Sequence, residues 1–121
     1  MAATSRQLAQ AIAQAAYDSK ASDIAIFDLR GSSSVTEYAV LCTATSIPHL
    51  RALLREVEGK VEDAVQAAPV YAERTSAALW AVLDYVDVMV HIMSGELRNH
   101  YRLEELWEKG SRIEWAPLAA S

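Results

Sequence analysis

The chain has 121 residues and one cysteine, Cys42, so it is long enough to fold as one domain around its own core and cannot form an internal disulfide. Its formal net charge of −5 at pH 7 is unevenly placed, because residues 1–60 carry six basic and six acidic side chains whereas residues 61–121 carry five basic and ten acidic ones. An acidic half-chain argues against nucleic acid as the main partner, which needs a basic patch, and is compatible with a basic protein partner.

The N-terminal residues predict a protein that stays in the cytoplasm. Gln7, Gln10 and Gln14 interrupt every apolar stretch that would serve as the hydrophobic region of a signal peptide. No window of the sequence approaches the apolar length that a membrane span needs. Cys42 lies inside an apolar run, which indicates a buried, unreactive thiol in a reducing compartment.

In chain order, the first regular element is a helix predicted over residues 5–20, where apolar side chains recur at helical spacing. Residues 23–29 and 37–43 are nearly continuous apolar runs, typical of strands inside a sheet, and a loop rich in Gly and Ser joins them. The most strongly periodic segment covers residues 46–67. A helix is predicted there, and Pro48 is compatible with it because Pro48 falls in the first turn.

The second half of the chain is predicted to consist mostly of strands. Its predicted elements are a short strand over residues 70–73, strands over 77–83 and 87–93, a turn at Ser94 and Gly95, and a helix over 103–109. This order predicts an α/β fold of the two-layer α+β type, with a mixed sheet of about five strands, helices mainly on one face and the other face open. We interpret residues 1–121 as a single domain, with a core of about 5–109 and a C-terminal tail at 110–121.

The strands over 77–83 and 87–93 form a hairpin with two different faces. The simplest turn, at Tyr85 and Val86, places Trp80 opposite His91. One face is apolar and suits the core: Leu79, Ala81, Leu83, Val88, Val90 and Ile92. The other face is mixed: Trp80, Val82, Asp84, Asp87, Met89 and His91. This mixture is typical of a protein interface with an aromatic anchor, and the alternative is a second core layer that buries Trp80.

The sequence offers little support for metal or acid–base chemistry. His49, His91 and His100 show none of the close spacings that metal-binding histidines and cysteines share. Asp84 and Asp87 form a close acid pair that would suit magnesium or acid–base work, yet two acids beside a hairpin turn are also what a solvated turn contains. We therefore predict no metal and no cofactor.

One enzyme class has a partial signature. Gly31 and Ser32 follow a predicted strand, as the Gly-Ser pair of a nucleotidyltransferase site does. That chemistry also needs two carboxylates spaced Asp-x-Asp on the next strand, and that stretch reads VTEYAVL. A serine nucleophile elbow, a P-loop and a dinucleotide fingerprint are absent from the sequence. We predict that the protein is not an enzyme, and the alternative is a nucleotidyltransferase-like domain that binds metal or nucleotide through Asp84 and Asp87.

The last motif, RNHYRLEELW, combines a short apolar helical face with residue types that favour interfaces. Leu103, Leu106 and Trp107 have the spacing of one helix face, and Tyr101 comes just before it. Either this helix docks onto the core, or Arg98, Tyr101 and Trp107 anchor a partner. The pattern alone leaves both interpretations open.

Four sequence blocks carry a family resemblance. They are KASDIAIFDLRG at residues 20–31, SSVTEYAVLCTATS at 33–46, WAVLDYVDVMVHIM at 80–93 and RNHYRLEELW at 98–107. In this order they resemble the ribosomal silencing factor family, RsfS or Iojap, over roughly residues 5–109. The resemblance implies a two-layer fold similar in shape to nucleotidyltransferases but without their catalytic residues.

The resemblance also implies a function. Members of this family bind the large ribosomal subunit through its protein L fourteen, a small basic protein, and sterically block the small subunit from joining, which represses translation during starvation or stationary phase. Self-association as a homodimer is expected when the protein is free. The residues that match the partner-binding positions are Trp80, Asp84, Tyr85, Asp87, His91, Arg98, Tyr101 and Trp107. Trp80 and Tyr85 are expected to act as anchors, and the two acids to pair with Lys or Arg.

Val86 is the departure from the family pattern with the clearest structural meaning. The family usually has glycine at this position. A two-residue hairpin turn prefers positive φ, which a β-branched residue resists. A longer turn and a shifted register are therefore the alternative to the simplest hairpin.

Overall fold

The computed structural model describes residues 3–31, 36–73, 80–102 and 112–118, and these ranges contain one six-stranded mixed sheet with three helices. The elements are α1 Ser5–Asp18, β1 Ser22–Asp28, β2 Tyr38–Ala44, α2 Ile47–Val65, β3 Tyr71–Glu73, β4 Trp80–Asp84, β5 Val88–Ser94, α3 Gly95–Tyr101 and β6 Arg112–Ile113. The strand order is β3-β4-β5-β2-β1-β6, in which β2 and β5 are parallel and every other neighbouring pair is antiparallel. The predicted fold class is confirmed.

The two long helices begin at side chains that satisfy their free N–H groups. Thr4 and Gln7 form a capping box at α1, since each side chain accepts a hydrogen bond from the other residue's backbone. At α2 the Ser46 hydroxyl accepts the His49 N–H at 3.1 Å, with Pro48 in the first turn. The helix ends where Gln66 adopts the left-handed conformation at φ 53°. The α2 boundaries are thus set by local chemistry.

The main core lies between these helices and one face of the sheet. The helices contribute Leu8, Ala9, Ile12, Ala13, Ala15, Ala16, Leu50, Leu53, Leu54, Val57 and Val61. The strands contribute Ile26, Tyr38, Val40, Cys42, Ala44, Ala81, Leu83, Val88, Val90 and Ile92. Burial raises the pKa of the Cys42 thiol to about 12, which keeps the sulfur protonated and unreactive.

The opposite sheet face is not open throughout, which corrects one part of the prediction. A second cluster of buried residues lies there, made of Ala25, Phe27, Leu29, Ala39, Leu41 and Met93, with Trp80 and Leu97 packed against it. The reason is visible in the sequence, because β1 and β2 are apolar at both alternating sets of positions. The half-buried residues of β4 and β5 on this face lie beside that cluster.

The sheet has six strands where about five are predicted. The additional strand, β6, pairs its two residues with Ile26 and Phe27 of β1. Trp115 follows it and donates its indole N–H to the Ile24 carbonyl at 3.2 Å, while its ring stands at 79° to that of Tyr17. A strand of two residues is too short to show a periodic pattern in the sequence, so β6 falls within the segment predicted as a tail.

The third helix also differs from the prediction. Ser94 and Gly95, predicted as a turn, start α3, since the Ser94 hydroxyl accepts the Leu97 N–H at 3.2 Å. His100 and Tyr101 are therefore helical instead of preceding a helix. The helix predicted over 103–109 lies outside the described residues. Across the parts of the chain that the structure describes, no helix combines the length and apolarity needed to cross a bilayer.

Candidate functional site

The hairpin of β4 and β5 has a register shifted by two residues from the predicted one. Trp80 pairs with Met93 and Val82 with His91, so Trp80 and His91 are diagonal neighbours instead of facing residues. Because the shift is an even number of residues, every side chain remains on its predicted face. The predicted register is wrong, and the predicted division into two faces is right for the described residues of the hairpin.

The shift accompanies a turn that is longer than the simplest one and in which Val86 still has a positive φ. The strands are joined by three residues, 85–87, and the Asp87 N–H donates to the Tyr85 carbonyl at 3.0 Å across Val86, whose φ is 75°. This is a γ-turn of the rarer, strained hand. The Asp84 carboxylate supports it by accepting the Val86 N–H at 2.8 Å. The longer turn is the alternative that the sequence left open.

The two faces of the hairpin differ in burial. Its helix-side residues Ala81, Leu83, Val88, Val90 and Ile92 are buried. Its mixed-face residues Trp80, Val82, Asp84, Met89 and His91 are half-buried. Leu79, predicted for the core face, lies outside the described residues. The mixed face is thus accessible to another molecule without being fully exposed.

An ordered aromatic cluster lies at one end of the mixed face. The Trp80 indole donates to His91 Nδ1 at 3.1 Å, and the two ring centroids are 5.9 Å apart. The Tyr101 ring lies 5.2 Å from Trp80, and the His100 ring 5.0 Å from Tyr101. Because the indole N–H has its acceptor within the protein, the Trp80 ring is held in one orientation. Tyr101 remains 52% exposed beside it.

Burial controls the protonation of His91. It lowers the pKa of the imidazole to about 4, so His91 is neutral at pH 7. The Nδ1 atom accepts the indole proton, which assigns the ring proton to Nε2. His91 is therefore a neutral acceptor that orients Trp80, and not a cation.

The two predicted acids lie at the other end of this face. Asp84 is half-buried and uses one carboxylate oxygen in the turn, and Asp87 is exposed in the loop. Among the described residues, no group of three or more His, Cys, Asp and Glu side chains is placed to hold a metal ion. The acids are available for charged groups of a partner.

Sequence reasoning missed Tyr71 as part of this face. Tyr71 pairs with Asp84 across β3 and β4, so both side chains lie on the same side of the sheet, and Tyr71 is 56% exposed. A three-residue edge strand gives too short a pattern to assign faces in advance. We define the Trp80 surface as Tyr71, Trp80, Val82, Asp84, Met89, His91 and Tyr101.

Tyr85 is a predicted partner residue that the structure places elsewhere. It is 7% exposed and belongs to the core cluster on the helix side. Desolvation, with smaller contributions from Glu58 and Glu62, raises the pKa of its hydroxyl, and that buried oxygen has no hydrogen-bond partner among the described residues. In this conformation Tyr85 supports the hairpin from inside.

Arg98 is also buried, at 6% exposure. Its guanidinium donates to the backbone carbonyl of Asp23 and to the Thr43 hydroxyl, the latter at 2.9 Å. It therefore joins α3 to β1 and β2 and does not belong to the exposed face. Trp107, the remaining predicted partner residue, lies outside the described residues.

A separate groove of about 540 Å³ lies on the helix side, between α1, α2 and the C-terminal segment. Alanines 11, 15 and 64 form much of its lining, together with Trp115 and Leu118. Its polar lining residues include Gln10 and Gln14. This groove is on the opposite side of the sheet from the Trp80 surface.

The fold is that of a small two-layer α/β domain whose mixed sheet face has the composition of a protein-binding surface. The profile of the family described as "Ribosomal silencing factor during starvation" matches residues 2–121. The chain belongs to this ribosomal silencing factor family, RsfS. The family description is that of a regulatory factor.

Individual relatives agree with this assignment. The ribosomal silencing factor RsfS of Bacillus subtilis is 36% identical over 98 residues, which cover 79% of this chain and 81% of that protein. The chloroplastic protein Iojap of Zea mays is 31% identical over 106 residues, covering 88% of this chain and 46% of that protein.

Two solved structures share the fold. A protein from Chromobacterium violaceum superimposes with a TM-score of 0.81 at 24% identity, covering 98% of this chain and 95% of its own. A protein from Bacillus halodurans superimposes with a TM-score of 0.75 at 26% identity, covering 91% of this chain and 99% of its own.

Proposed function

We propose that this protein binds the large ribosomal subunit through its protein L fourteen and thereby prevents the small subunit from joining. The observation that carries the proposal is the Trp80–Tyr101 ring pair, in which a hydrogen bond to His91 orients Trp80 while Tyr101 is exposed beside it. Membership of the silencing factor family supports the ribosome as the partner.

The composition of the Trp80 surface suits a basic protein. Aromatic rings that are already held in place bind at a low entropic cost, and Trp and Tyr are the residues that most often dominate binding energy. Asp84 at the end of β4 and Asp87 in the loop that follows offer carboxylates to Lys or Arg. Trp80 and Tyr101 would bury ring surface against the partner, while His91 keeps the indole oriented.

Silencing by this route needs no chemistry. A domain that occupies a surface needed for subunit joining competes with the small subunit by mass action. The proposal therefore requires no catalytic residue, metal or cofactor, and it places the protein in the cytoplasm with the ribosomes. In the free protein, the exposed rings of the Trp80 surface would favour a homodimer, and the partner would compete with the second copy.

Sedimentation tests the proposal directly. The purified protein should co-sediment with large subunits and reduce their joining to small subunits at equal concentrations. If it does neither, the proposal is wrong. Magnesium-dependent nucleotide binding that is lost in Asp84→Ala would instead support the nucleotidyltransferase-like alternative.

Truncation of the aromatic anchor tests the surface. Trp80→Ala should weaken binding to large subunits by about 2 kcal/mol or more, which is roughly 30-fold, because a central ring of the interface is removed. Tyr17→Ala removes an exposed ring on the helix side and should leave binding unchanged. If Trp80→Ala lowers the free energy of unfolding as much as it lowers binding, Trp80 is a core residue and not an anchor.

A further inference from the structure

The position of α3 depends on a few contacts outside the helix itself. The helix has seven residues, too few to be stable alone in water. Ser94 fixes its first turn, and Arg98 fixes its middle by reaching across to the Asp23 carbonyl and the Thr43 hydroxyl. A guanidinium suits this task because its planar fork presents several donors in fixed directions.

The acceptor on β1 lies in an irregular stretch of that strand. The pairing of β1 with β2 shifts register between Ser22 and Ala25, and Asp23 has a positive φ of 50°. The Asp23 carbonyl accepts from Arg98 at this irregularity. Arg98 thus joins three elements at one point, namely β1, β2 and α3.

Tyr101 depends on this junction for its position. It lies three residues after Arg98, on the same side of the helix, and its ring is 5.2 Å from that of Trp80. Displacing α3 from the sheet would move the Tyr101 ring away from Trp80. Tyr101, the exposed member of the aromatic pair, is therefore held in place by a buried cation about one turn earlier on the same side of the helix.

We propose that Arg98 is a positioning residue for partner binding, which holds α3 against β1 and β2 so that Tyr101 stands ready beside Trp80. The inference rests on the proposed function of the Trp80 surface. Arg98 raises affinity without touching the partner, because an aromatic side chain that is already ordered loses less freedom on binding. The sequence motif that contains Arg98 thereby acquires a role other than direct contact.

A double-mutant cycle tests the proposal with full-length protein and large ribosomal subunits. Arg98→Lys keeps the charge but lacks the planar guanidinium. Binding should weaken about three- to tenfold, because the Tyr101 side chain must then be ordered when the partner binds. In the background of Tyr101→Ala, the same substitution should change binding less than about twofold, because its effect passes through Tyr101. Arg55→Lys, on the exposed side of α2, is the matched control and should change nothing.

A spectroscopic readout separates positioning from general stability. In the wild-type protein, ring-current shifts and nuclear Overhauser contacts should connect Tyr101 with Trp80, and Arg98→Lys should remove them while the rest of the spectrum stays folded. Thr43→Val removes one acceptor of Arg98 and should weaken the same signals, which keeps the test available if Arg98→Lys fails to fold.

The positioning role of Arg98 and the proposed function of the protein are contradicted by different results. Additive effects of the Arg98 and Tyr101 substitutions, or an unchanged Tyr101–Trp80 contact in Arg98→Lys and in Thr43→Val, overturn the positioning role. If the wild-type protein fails to bind large subunits, the proposed function fails, and the spectroscopic comparison alone decides whether Arg98 positions Tyr101.

Discussion

His91 acts in this molecule as a neutral hydrogen-bond acceptor. Its Nδ1 atom receives the indole proton of Trp80, and burial lowers the pKa of the ring to about 4. Protonation of Nδ1 would remove the acceptor and place a charge in a desolvated site. The same residue type that often serves as a switch near neutral pH is here kept in one state.

The free energy of unfolding should therefore decrease as the pH is lowered, over a pH range set by His91. The folded pKa lies below the unfolded value of about 6.5, so the unfolded chain takes up the proton first. The stabilisation is complete above about pH 6.5 and is lost as the pH falls towards 4, by at most about 1.4 kcal/mol per pH unit.

Urea unfolding at pH 7 and pH 5 measures this effect. The wild-type protein should lose about 1–2 kcal/mol more than His91→Gln, which keeps an acceptor but does not titrate. Equal losses in the two proteins would show that His91 is not responsible.

Val86 has a strained backbone conformation that a substitution can relieve. Its Cβ stands at a φ of 75°, which costs about 1–2 kcal/mol for a residue other than glycine, and its side chain is 55% exposed. Val86→Gly should raise the free energy of unfolding by about 1 kcal/mol, after the greater freedom of glycine in the unfolded chain is subtracted. Val86→Ala keeps the Cβ and is the control. Urea unfolding that ranks Val86→Gly no higher than Val86→Ala would contradict this explanation.

At the residue scale, the sequence predicts which face of the sheet a side chain lies on better than it predicts which residue that side chain contacts. The alternation of side chains places Trp80 and Asp84 on the correct side of the hairpin whatever the register is. The register itself depends on the backbone angle of Val86, which no periodicity reports. The burial of Tyr85 and Arg98 depends on partners distant in sequence, and both residue types are common in interfaces and in cores.

At the scale of elements, α2 contains a glycine, Gly59, that lowers the free energy of unfolding and can be replaced. Gly59 lies in the exposed interior of the helix, and a Cβ added there meets nothing within 4 Å. Gly59→Ala should raise the free energy of unfolding by about 0.5–1 kcal/mol, because glycine loses more backbone freedom in a helix than alanine does.

Thermal unfolding of Gly59→Ala beside Gly95→Ala checks this expectation. Gly95 is the first residue of α3, where a Cβ meets the Thr43 methyl group at 3.7 Å and no helix interior is improved. The melting temperature should rise for the first variant only. A rise of the same size in both would point to an effect unrelated to the position in the helix.

Elements with a strong period are predictable here, and short ones are not. The structure places α1, β1, β2 and α2 within a few residues of their predicted ranges, because each has caps or a long apolar pattern. The start of α3 is not predicted, because its Ser94-Gly95 pair indicates a turn as readily as the start of a helix. The strand β6 exists only because an edge of β1 is there to pair with it.

At the scale of the whole molecule, the sheet separates two surfaces. The long helices cover one side, and on the other the Trp80 surface adjoins the smaller buried cluster to which Trp80 and Leu97 belong. Mutations on the helix side should therefore change stability without changing binding, as long as the sheet is intact. The identity of the partner is a property of the family and not of the fold, since a two-layer sheet of this kind carries no ribosome-specific geometry.

The centre of the sheet imposes an order on folding. The strands β2 and β5 run parallel, with Tyr38 beside Val88, and α2, β3 and β4 lie between them along the chain. A chain still under synthesis cannot close its sheet until β5 has emerged, because β2 lacks one neighbour until then. A protein that ends at residue 87 should show no cooperative urea transition, whereas the full chain should show one. This member of a ribosomal silencing factor family therefore cannot complete its sheet before β5 has been translated.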